Sequence, residues 1–374
     1  MITLARADRS LVARWWWSVD RWTLAAILLL ALIGALLGMA ASPAVAERIG
    51  VAPFHFVHRQ LAYLPLAVAV LIGTSLLSAD GVRRVALAGF GVGLVLLAAT
   101  PIVGDEIKGA TRWLSLGGLT IQPSEFVKPT FAVVAAWLFA GQRWDPAFPG
   151  NVVAIALLAL VVGLLARQPD VGMATMVTVV WCAQFFLAGL ALGWLVLCAL
   201  GGVGLLGLGY VLLPHVSDRI DQFLDPSSGD TYQSDVAMMA IEQGGFFGRG
   251  PGQGQVKDIL PDAHADYIFA VAAEEFGSLA CLLIIVLFAF VTLRAFARAS
   301  GDRSLFGLLA VTGLATQFGL QALINMAVNV RLLPPKGMTL PFVSYGGSSL
   351  LALALGMGML LALTRRRYDG GAEP

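Results

Sequence analysis

The sequence predicts an all-α, polytopic membrane protein that forms a single domain with ten transmembrane helices. Of its 374 residues, 58% are hydrophobic and only 13% are charged, whereas about a quarter of the residues in a typical soluble protein are charged. Apolar runs close to the ~20 residues that cross a bilayer as a helix recur along the chain. Runs such as Ala25–Leu37 lack the period-two alternation of barrel strands, so helices are the predicted spans.

Charge and cysteine content exclude other classes of protein. A formal net charge of +1 gives no concentrated basic face, so a nucleic-acid partner is not expected. Cys182, Cys198 and Cys281 all fall inside apolar runs. That placement is typical of small buried hydrophobic residues and not of a disulfide framework or a metal site. The first apolar run is too long for the core of a signal peptide and is interpreted as a retained first span.

Ten candidate spans follow one another along the chain. They are Trp22–Ser42, Leu61–Ser78, Val85–Val103, Phe126–Phe139, Val152–Ala166, Val171–Leu187, Leu192–Leu213, Tyr267–Phe296, Leu305–Val328 and Ser344–Leu363. The division between the fifth and sixth depends on Arg167-Gln-Pro-Asp170, which interrupts a nearly continuous apolar stretch. Without that division, every later segment would lie on the opposite side of the membrane.

The distribution of basic residues orients these spans. With a cytoplasmic N-terminus, the short inner segments hold Arg6, Arg9, Arg14, Arg21, Arg83, Arg84, Arg143, Arg294, Arg298, Arg303 and Arg365 to Arg367. The longer outer segments hold fewer basic residues, and both termini are therefore predicted to be cytoplasmic. Most polar residues then lie outside the cell membrane, in Glu47–Gln60, Gly104–Glu125 and the large extracytoplasmic loop Pro214–Asp266.

The stretch from Leu260 to Gly277, L-P-D-A-H-A-D-Y-I-F-A-V-A-A-E-E-F-G, is the strongest candidate for chemistry. It joins the long polar loop to an apolar helix and places ionisable groups at the membrane boundary, where they are costly. Desolvation there is expected to raise the pKa of Asp266, which makes this carboxylate a candidate general base. Asp262 and His264 are rivals, but they lie farther into the loop and are expected to be solvated. At least one of Glu274 and Glu275 is expected to face the bundle and to be paired.

The segment before the fourth span contains two further candidates. Glu125 and Lys128, three residues apart, can pair on one face of a helix. They are interpreted either as a self-neutralised pair that fixes the helix, or as a phosphate site in which Glu125 positions Lys128 and Arg112 assists. Both interpretations can hold together.

Other polar residues at the outer boundary also have two interpretations. Asp170 is suited to cap the sixth span or to bind substrate, and Arg59 to extend its charge toward the membrane surface or to contact a phosphate. The positive charge of Lys336 is unfavourable just before the start of a helix, which favours a role for this residue in binding a ligand. Ser344 and the neighbouring glycines permit close helix packing or an anion contact through backbone amides.

Two patterns in the second half of the chain concern structure. Gln317, Gln321, Asn325 and Asn329 recur every four residues, and this stripe is interpreted as interhelical hydrogen bonding or as the lining of a polar groove. Residues 236–243 fit a short helix in the membrane surface. The glycine-rich strap at 244–254 is predicted to be flexible or to surround a ligand, and it lacks the ending of a phosphate-binding P-loop.

These motifs, taken in order over nearly the whole chain, resemble the SEDS family (shape, elongation, division, sporulation). The matching residues are G-A-T-R-W-L-S-L-G-G with Q-P-S-E-F-V-K, Q-P-D-V-G, G-G-F-F-G-R-G-P-G-Q-G, L-P-D-A-H-A-D-Y-I-F and L-P-F-V-S-Y-G-G-S-S. The segments at 42–60 and 334–341 are more similar to the division-type branch than to the elongation-type branch. Ala265 stands where the family usually has Thr before the essential Asp, which here is Asp266.

The resemblance implies a peptidoglycan glycosyltransferase that polymerises lipid II outside the cytoplasmic membrane, at the division septum. It implies a class B (FtsI-like) penicillin-binding protein and other divisome membrane proteins as partners. Asp266 would deprotonate the 4-hydroxyl of the incoming sugar, and cations would stabilise the undecaprenyl diphosphate that leaves the growing glycan strand. Arg59, Arg112, Lys128 and Lys336 are the candidates. A divalent cation, Mg²⁺ or Mn²⁺, could share this role, although no ligand cluster in the sequence demands one.

Three other interpretations remain open: a lipid II flippase, a non-catalytic divisome scaffold and an elongation-type member of the same family. A flippase should tolerate the replacement of Asp266 by Asn, whereas a polymerase should lose nearly all glycan synthesis.

Overall fold

The computed structural model describes residues 10–107, 110–116, 119–189, 231–301 and 304–365, with scattered positions between 190 and 230. Its α-helices are α1 (Leu11–Ser18), α2 (Arg21–Arg48), α3 (His55–Ser75), α4 (Ala79–Val103), α5 (Pro123–Trp144), α6 (Gly150–Arg167), α7 (Val171–Leu187), α8 (Tyr232–Gly244), α9 (Ile268–Ala299), α10 (Leu305–Asn329) and α11 (Gly347–Leu363). Strands β1 (Asp105–Ile107), β2 (Ala110–Leu116) and β3 (Leu119–Ile121) lie between α4 and α5, and a 3-10 turn covers Val256–Asp258.

Within the described residues, helices occupy nine of the ten predicted spans. Spans one to six correspond to α2–α7, and spans eight to ten correspond to α9–α11. The seventh, Leu192–Leu213, lies largely outside the described residues, so the count of ten stays a prediction. The turn at residues 168–170 separates α6 from α7, with Pro169 at a φ of 22°. The predicted division of that apolar stretch is therefore confirmed.

Six of these helices are long and apolar enough to cross a membrane, namely α2, α3, α4, α6, α9 and α10. Large aliphatic side chains on their outer faces are exposed, for example Leu32, Val95 and Leu293 at 55%, 69% and 65%. Such exposure would be costly in water but matches a hydrocarbon solvent. The chain is thus a polytopic helical membrane protein, as predicted. α5 differs because it lies in the interior of the bundle, with most of its residues buried.

Side chains fix the points at which several helices begin. Ser78 accepts a hydrogen bond from the N–H of Gly81 at the start of α4, and Ser304 accepts one from Gly307 at the start of α10. Each bond satisfies one of the four backbone donors that a helix leaves unpaired at its N-terminus. Helix α3 begins at His55, earlier than the predicted Leu61, because His58 and the following residues already make helical bonds. Arg59 therefore lies inside α3 and not before it.

The segment Gly104–Glu125, predicted as an outer loop, contains a small antiparallel sheet with strand order β1-β2-β3. Asp105 is paired with Trp113, and Ser115 with Thr120. The sequence holds the signal that was missed, since a Gly-Gly pair between two short apolar runs is typical of a two-residue hairpin. This sheet, α8 and residues 245–267 and 330–346 lie at one end of the bundle, which we call the loop-rich end.

Helix α9 is broken at Gly277, which has a φ of 78°. The glycine-rich strap passes against this break, and a Cβ at Gly277 would lie 2.4 Å from the carbonyl oxygen of Phe246. The backbone N–H groups of Arg249 and Gly250 donate to the carbonyl groups of Glu274 and Glu275, at 2.9 and 3.0 Å. The expected flexibility of the strap is therefore wrong, and its contact with a ligand stays a prediction. The strap instead forms hydrogen bonds that the broken helix would otherwise lack.

Replacing Gly277 by Ala is expected to destabilise the protein by more than about 2 kcal/mol. A backbone with a φ of 78° and a ψ of −178° is nearly confined to glycine and costs another residue about 1–3 kcal/mol, and the clash with Phe246 adds to this cost. Thermal unfolding in detergent measures the change. Gly91→Ala is the matched control, since a Cβ at Gly91 meets no atom within 4 Å. Equal unfolding temperatures for the two variants would contradict the expectation.

The opposite end of the bundle is held by a buried acid. Asp20, 2% exposed, accepts hydrogen bonds from Arg294 at 2.7 and 3.0 Å and lies 2.7 Å from Nε of Arg298. Burial alone would raise the pKa of Asp20, but the two guanidinium groups outweigh it and lower the pKa. This network ties the start of α2 to the end of α9.

Candidate functional site

Asp266 lies half-buried in the turn that leads into α9 at the loop-rich end. Its Oδ2 is 3.4 Å from the position that a Cβ would occupy on Gly337. The carboxyl group therefore faces the segment between α10 and α11, next to Lys336. A glycine at this point leaves space beside the carboxylate that any other residue would narrow.

The amide stripe of α10 holds the backbone of this turn. The carbonyl oxygen of Asp266 accepts hydrogen bonds from Nδ2 of Asn325 at 2.9 Å and from Nδ2 of Asn329 at 3.0 Å. Asn325 also donates to the carbonyl of Met338, and Asn329 accepts from the N–H of Ala270. These contacts support the hydrogen-bonding interpretation of the stripe. Because both bonds use the main chain of Asp266, its side chain remains directed toward Gly337.

Ser344 joins the same turn to the segment before α11. Its Oγ accepts from the N–H of Leu340 at 2.7 Å and donates to the carbonyl of Ala265 at 2.5 Å. The hydroxyl proton of this buried side chain is therefore used inside the protein. A positioning role accounts for Ser344 without a direct substrate contact, and its predicted role in binding substrate is not tested by these bonds.

His264 was expected to be solvated, and that expectation is wrong. Its side chain is 8% exposed and packs between Phe56, at 4.2 Å between ring centroids, and Tyr345, at 5.3 Å. The N–H of Tyr345 also donates to the carbonyl of His264. Sequence reasoning missed Phe56 and Tyr345 because the aromatic contact joins three segments that are far apart along the chain.

Arg59 lies beside this aromatic cluster on α3. Burial raises the pKa of Tyr345, while the positive charge of Arg59 and its hydrogen bond to the phenol favour the ionised form. Arg59 is half-buried, so the guanidinium is held at the loop-rich end and is not extended toward lipid. The position suits the predicted contact with an anionic ligand.

Glu125 and Lys128 form the predicted pair, with 2.9 Å between Oε2 and Nζ. Both are buried, at 5% and 4% exposed. Lys128 also donates to Oε1 of Gln321 at 3.1 Å, and Nε2 of Gln321 donates to the carbonyl of Thr339 at 3.0 Å. The pair is thus linked through α10 to the segment that contains Gly337. Its self-neutralised form is observed, and a direct phosphate contact would require Lys128 to leave these partners.

Arg112 holds the turn between α6 and α7. It donates to the carbonyl oxygens of Gln168 at 3.1 Å and Pro169 at 2.6 Å, and its Nε lies 4.0 Å from Oδ2 of Asp170. Asp170 caps α7 by accepting from the N–H of Met173 at 3.2 Å. The capping interpretation of Asp170 therefore has structural support, and Arg112 acts on the same turn.

Lys336 completes the set. A Cβ on Gly172, in the first turn of α7, would lie 3.5 Å from Cδ of Lys336 and 3.8 Å from Oδ1 of Asp170. The lysine stem therefore crosses the start of α7 on its way past Asp170. The side chains of Asp170 and Lys336 both approach Gly172, and Asp266 faces Gly337, the residue that follows Lys336 in the chain.

Asp170→Asn is expected to change stability at neutral pH by less than about 1 kcal/mol, since Asn is also a good N-cap. Burial raises the pKa of Asp170 above 3.8, although Arg112 and the Met173 amide oppose this. The folded state then holds the proton more tightly than the unfolded chain, so stability falls as pH rises through the window between these two pKa values. Asn lacks that titration. Thermal unfolding at several pH values measures both proteins, and an equal decline with rising pH would contradict the expectation.

Glu274 and Glu275 are both buried, at 0% and 1% exposed, as predicted for at least one of them. Glu274 accepts hydrogen bonds from the backbone N–H groups of residues 255–257, which follow the strap, and Glu275 pairs with Nζ of Lys257. Within the described residues, no group of three or more His, Cys, Asp or Glu side chains could hold a metal ion.

Comparison with known proteins gives a consistent result. Residues 20–369 match the FtsW, RodA and SpoVE family model, described as "Cell cycle protein". The "Probable peptidoglycan glycosyltransferase FtsW" of Caulobacter vibrioides (strain NA1000 / CB15N) is 45% identical over 97% of this chain and 93% of its own length.

Two solved structures have the same fold. One chain, described under "Structural coordination of polymerization and crosslinking by a peptidoglycan synthase complex", is 27% identical with a TM-score of 0.73, over 92% of this chain and 97% of that chain. The rod shape determining protein RodA of Thermus thermophilus is 28% identical with a TM-score of 0.68, over 94% and 99%.

Proposed function

The chain belongs to the cell cycle protein family of FtsW, RodA and SpoVE and is a peptidoglycan glycosyltransferase, and we propose that it polymerises lipid II with Asp266 as the general base. The observation that carries this assignment is the half-buried carboxylate of Asp266 facing Gly337 beside Lys336. The 45% identical relative carries the division-type name, which supports a role in septal synthesis over one in elongation.

The reaction requires one base and a stabilised leaving group. Asp266 takes the proton from the 4-hydroxyl of the GlcNAc on the incoming lipid II as the oxygen attacks the anomeric carbon of the growing strand. The bond to undecaprenyl diphosphate breaks with inversion at that carbon, and the diphosphate leaves without protonation. General-base catalysis of this kind contributes about 10²–10⁴-fold. The half-buried site strengthens these interactions relative to water.

Lys336 and Arg59 are the cations that we assign to the developing charge of the diphosphate. Both are half-buried at the loop-rich end, and Lys336 adjoins Gly337, which Asp266 faces. Lys128 and Arg112 bind other groups of the protein. We assign them an indirect role, in which they hold α5, α7 and the segment around Gly337 in position. A divalent cation, Mg²⁺ or Mn²⁺, would share the role of Lys336 and Arg59 by neutralising the diphosphate.

The same proposal fixes orientation and partners. The loop-rich end faces the periplasm, both termini are cytoplasmic, and the protein resides in the cytoplasmic membrane at the septum. The basic residues Arg83, Arg84, Arg143 and Arg294 lie near the opposite end, which supports this orientation. A class B penicillin-binding protein is the expected partner, since a structural relative belongs to a peptidoglycan synthase complex. Other divisome membrane proteins complete the assembly.

Reconstitution tests the proposed function. The purified protein, combined with a class B penicillin-binding protein whose own transpeptidase is blocked, is given fluorescent lipid II. We expect glycan strands on a gel and stoichiometric release of undecaprenyl diphosphate. Movement of lipid II across the membrane of a proteoliposome without polymer would instead establish the flippase interpretation. If the protein neither makes polymer nor transports lipid II, the interpretation as a non-catalytic scaffold remains.

A further inference from the structure

The backbone from residue 255 to residue 274 forms a ring, which the side chain of Glu274 closes by binding residues 255–257. Oε1 of Glu274 accepts hydrogen bonds from the backbone N–H groups of Gln255 and Val256, both at 2.7 Å, and Oε2 accepts one from Lys257 at 2.8 Å. The carboxylate is completely buried. Asp266 lies within the turn between the two ends of this ring.

Burying the carboxylate of Glu274 costs free energy, because the charge loses its contact with water. Leaving it unpaired would cost several kcal/mol, but three charge-assisted hydrogen bonds of normal length stabilise it well. Glu274 lies on the first segment of α9, between the helix start at Ile268 and the break at Gly277. The helix therefore sets the position of Glu274 relative to Asp266. The hydrogen bonds of Glu274 in turn hold residues 255–257 in place.

The end of the strap packs closely against the carboxylate of Glu274. A Cβ on Gly254 would lie 2.8 Å from Cδ of Glu274, so only glycine fits there. Next to it, Oε2 of Glu275 accepts from the N–H of Gly252 at 3.0 Å, and Oε1 of Glu275 pairs with Nζ of Lys257. On the far side of the ring, Arg48 donates to the carbonyl of Leu260 at 2.7 Å. The residues that lead into Asp266 are thus held from both directions.

We propose that Glu274 is a positioning residue for Asp266. By closing the ring, Glu274 fixes the turn from Leu260 to Asp266 so that the carboxylate faces Gly337, the residue that follows Lys336. The inference rests on the proposed function, because it concerns the placement of the general base. A displacement of about 1 Å at a catalytic group can cost about 10²-fold in rate, so a ring that opens should lower turnover while the substrate still binds.

Glu274→Gln tests the role of the carboxylate. The amide Nε2 of Gln would face a backbone N–H donor, which leaves at least one of the N–H groups of residues 255–257 without an acceptor. We expect kcat for lipid II polymerisation to fall by at least ~10-fold while KM changes by less than about 2-fold. Glu242→Gln is the matched control, because Glu242 is exposed on α8. A kcat for Glu274→Gln equal to that of this control would overturn the proposal.

A reversible crosslink tests ring closure in one and the same protein. In the pair Gly254→Cys/Glu274→Cys, the second change removes the Cδ atom that excludes a side chain at position 254. Because that Cδ lies 2.8 Å from the Gly254 Cβ position, we expect the two cysteines to form a disulfide, whose Cβ atoms lie about 3.8 Å apart. We expect low activity in the reduced protein and a gain of at least ~5-fold on oxidation, reversed by a reductant. Wild-type protein, with three cysteines of its own, and each single variant receive the same oxidant.

The outcomes separate the two proposals. If wild type makes no polymer, the proposed function fails. If wild type is active and the oxidised and reduced pair have equal kcat, ring closure does not position Asp266 and this inference fails. The redox comparison decides the matter even if Glu274→Gln does not fold.

Discussion

Asp266→Asn is expected to abolish polymerisation of lipid II, with a loss of about 10²–10⁴-fold or more in kcat, because Asn cannot accept the sugar proton. The fold should be retained. Asn325 and Asn329 bind the backbone carbonyl of residue 266 and do not need its side chain. Asn also matches the size of Asp, so the space beside Gly337 is unchanged. Release of undecaprenyl diphosphate and glycan strands on a gel measure the effect.

The matched control for this variant is Asp262→Asn. Asp262 is half-buried in the same turn and has a φ of 50°, which Asn tolerates better than most residues. We expect this variant to keep most of the wild-type activity. Polymer formation by Asp266→Asn at the rate of Asp262→Asn would remove the general-base assignment and favour transport, since a flippase needs no base.

Lys128→Gln is expected to destabilise the protein by about 3–5 kcal/mol and to reduce activity, because it leaves the buried Glu125 carboxylate without its cation. Lys128 lies 2.9 Å from Glu125 and 3.1 Å from Gln321. Lys128→Arg keeps the charge and should lose less of both properties. Thermal unfolding in detergent and the polymerisation assay give the two measurements.

The double variant Glu125→Gln/Lys128→Gln separates the structural role from the electrostatic one. Removing both charges should recover much of the lost stability, since neither partner then remains as an unpaired buried ion. If the charge of Lys128 also acts on the diphosphate, activity stays low in the stable double variant. Recovery of activity together with stability, or equal losses for Lys128→Gln and Lys128→Arg, would assign the pair to structure alone.

The parts of the site that the sequence predicted correctly are those governed by local rules. The i, i+3 pair of Glu125 and Lys128, the cap formed by Asp170 and the division between α6 and α7 all follow from residues within a few positions of one another. The amide stripe is also local, because a period of four places its members on one helical face.

The errors concern contacts between distant segments. The burial of His264 depends on Phe56 and Tyr345, and the order of the strap depends on its hydrogen bonds to Glu274 and Glu275, about 25 residues farther along the chain. Neither contact has a fixed spacing that a pattern could detect. The sheet at 105–121 differs, because its strands of three to seven residues give weak periodicity and only the Gly-Gly pair signals the hairpin.

The break at Gly277 divides α9 into a short segment at the loop-rich end and a long segment that is suited to span the membrane. From Ser278 to Ala299 the helix extends about 33 Å at 1.5 Å per residue, close to the ~30 Å hydrocarbon thickness of a bilayer. Helices adapt to thicker or thinner bilayers by tilting. Because Glu274 and Glu275, just before the break, are hydrogen-bonded to the strap, we expect a tilt of the long portion to be absorbed at Gly277 and to leave Asp266 in place as lipid composition varies.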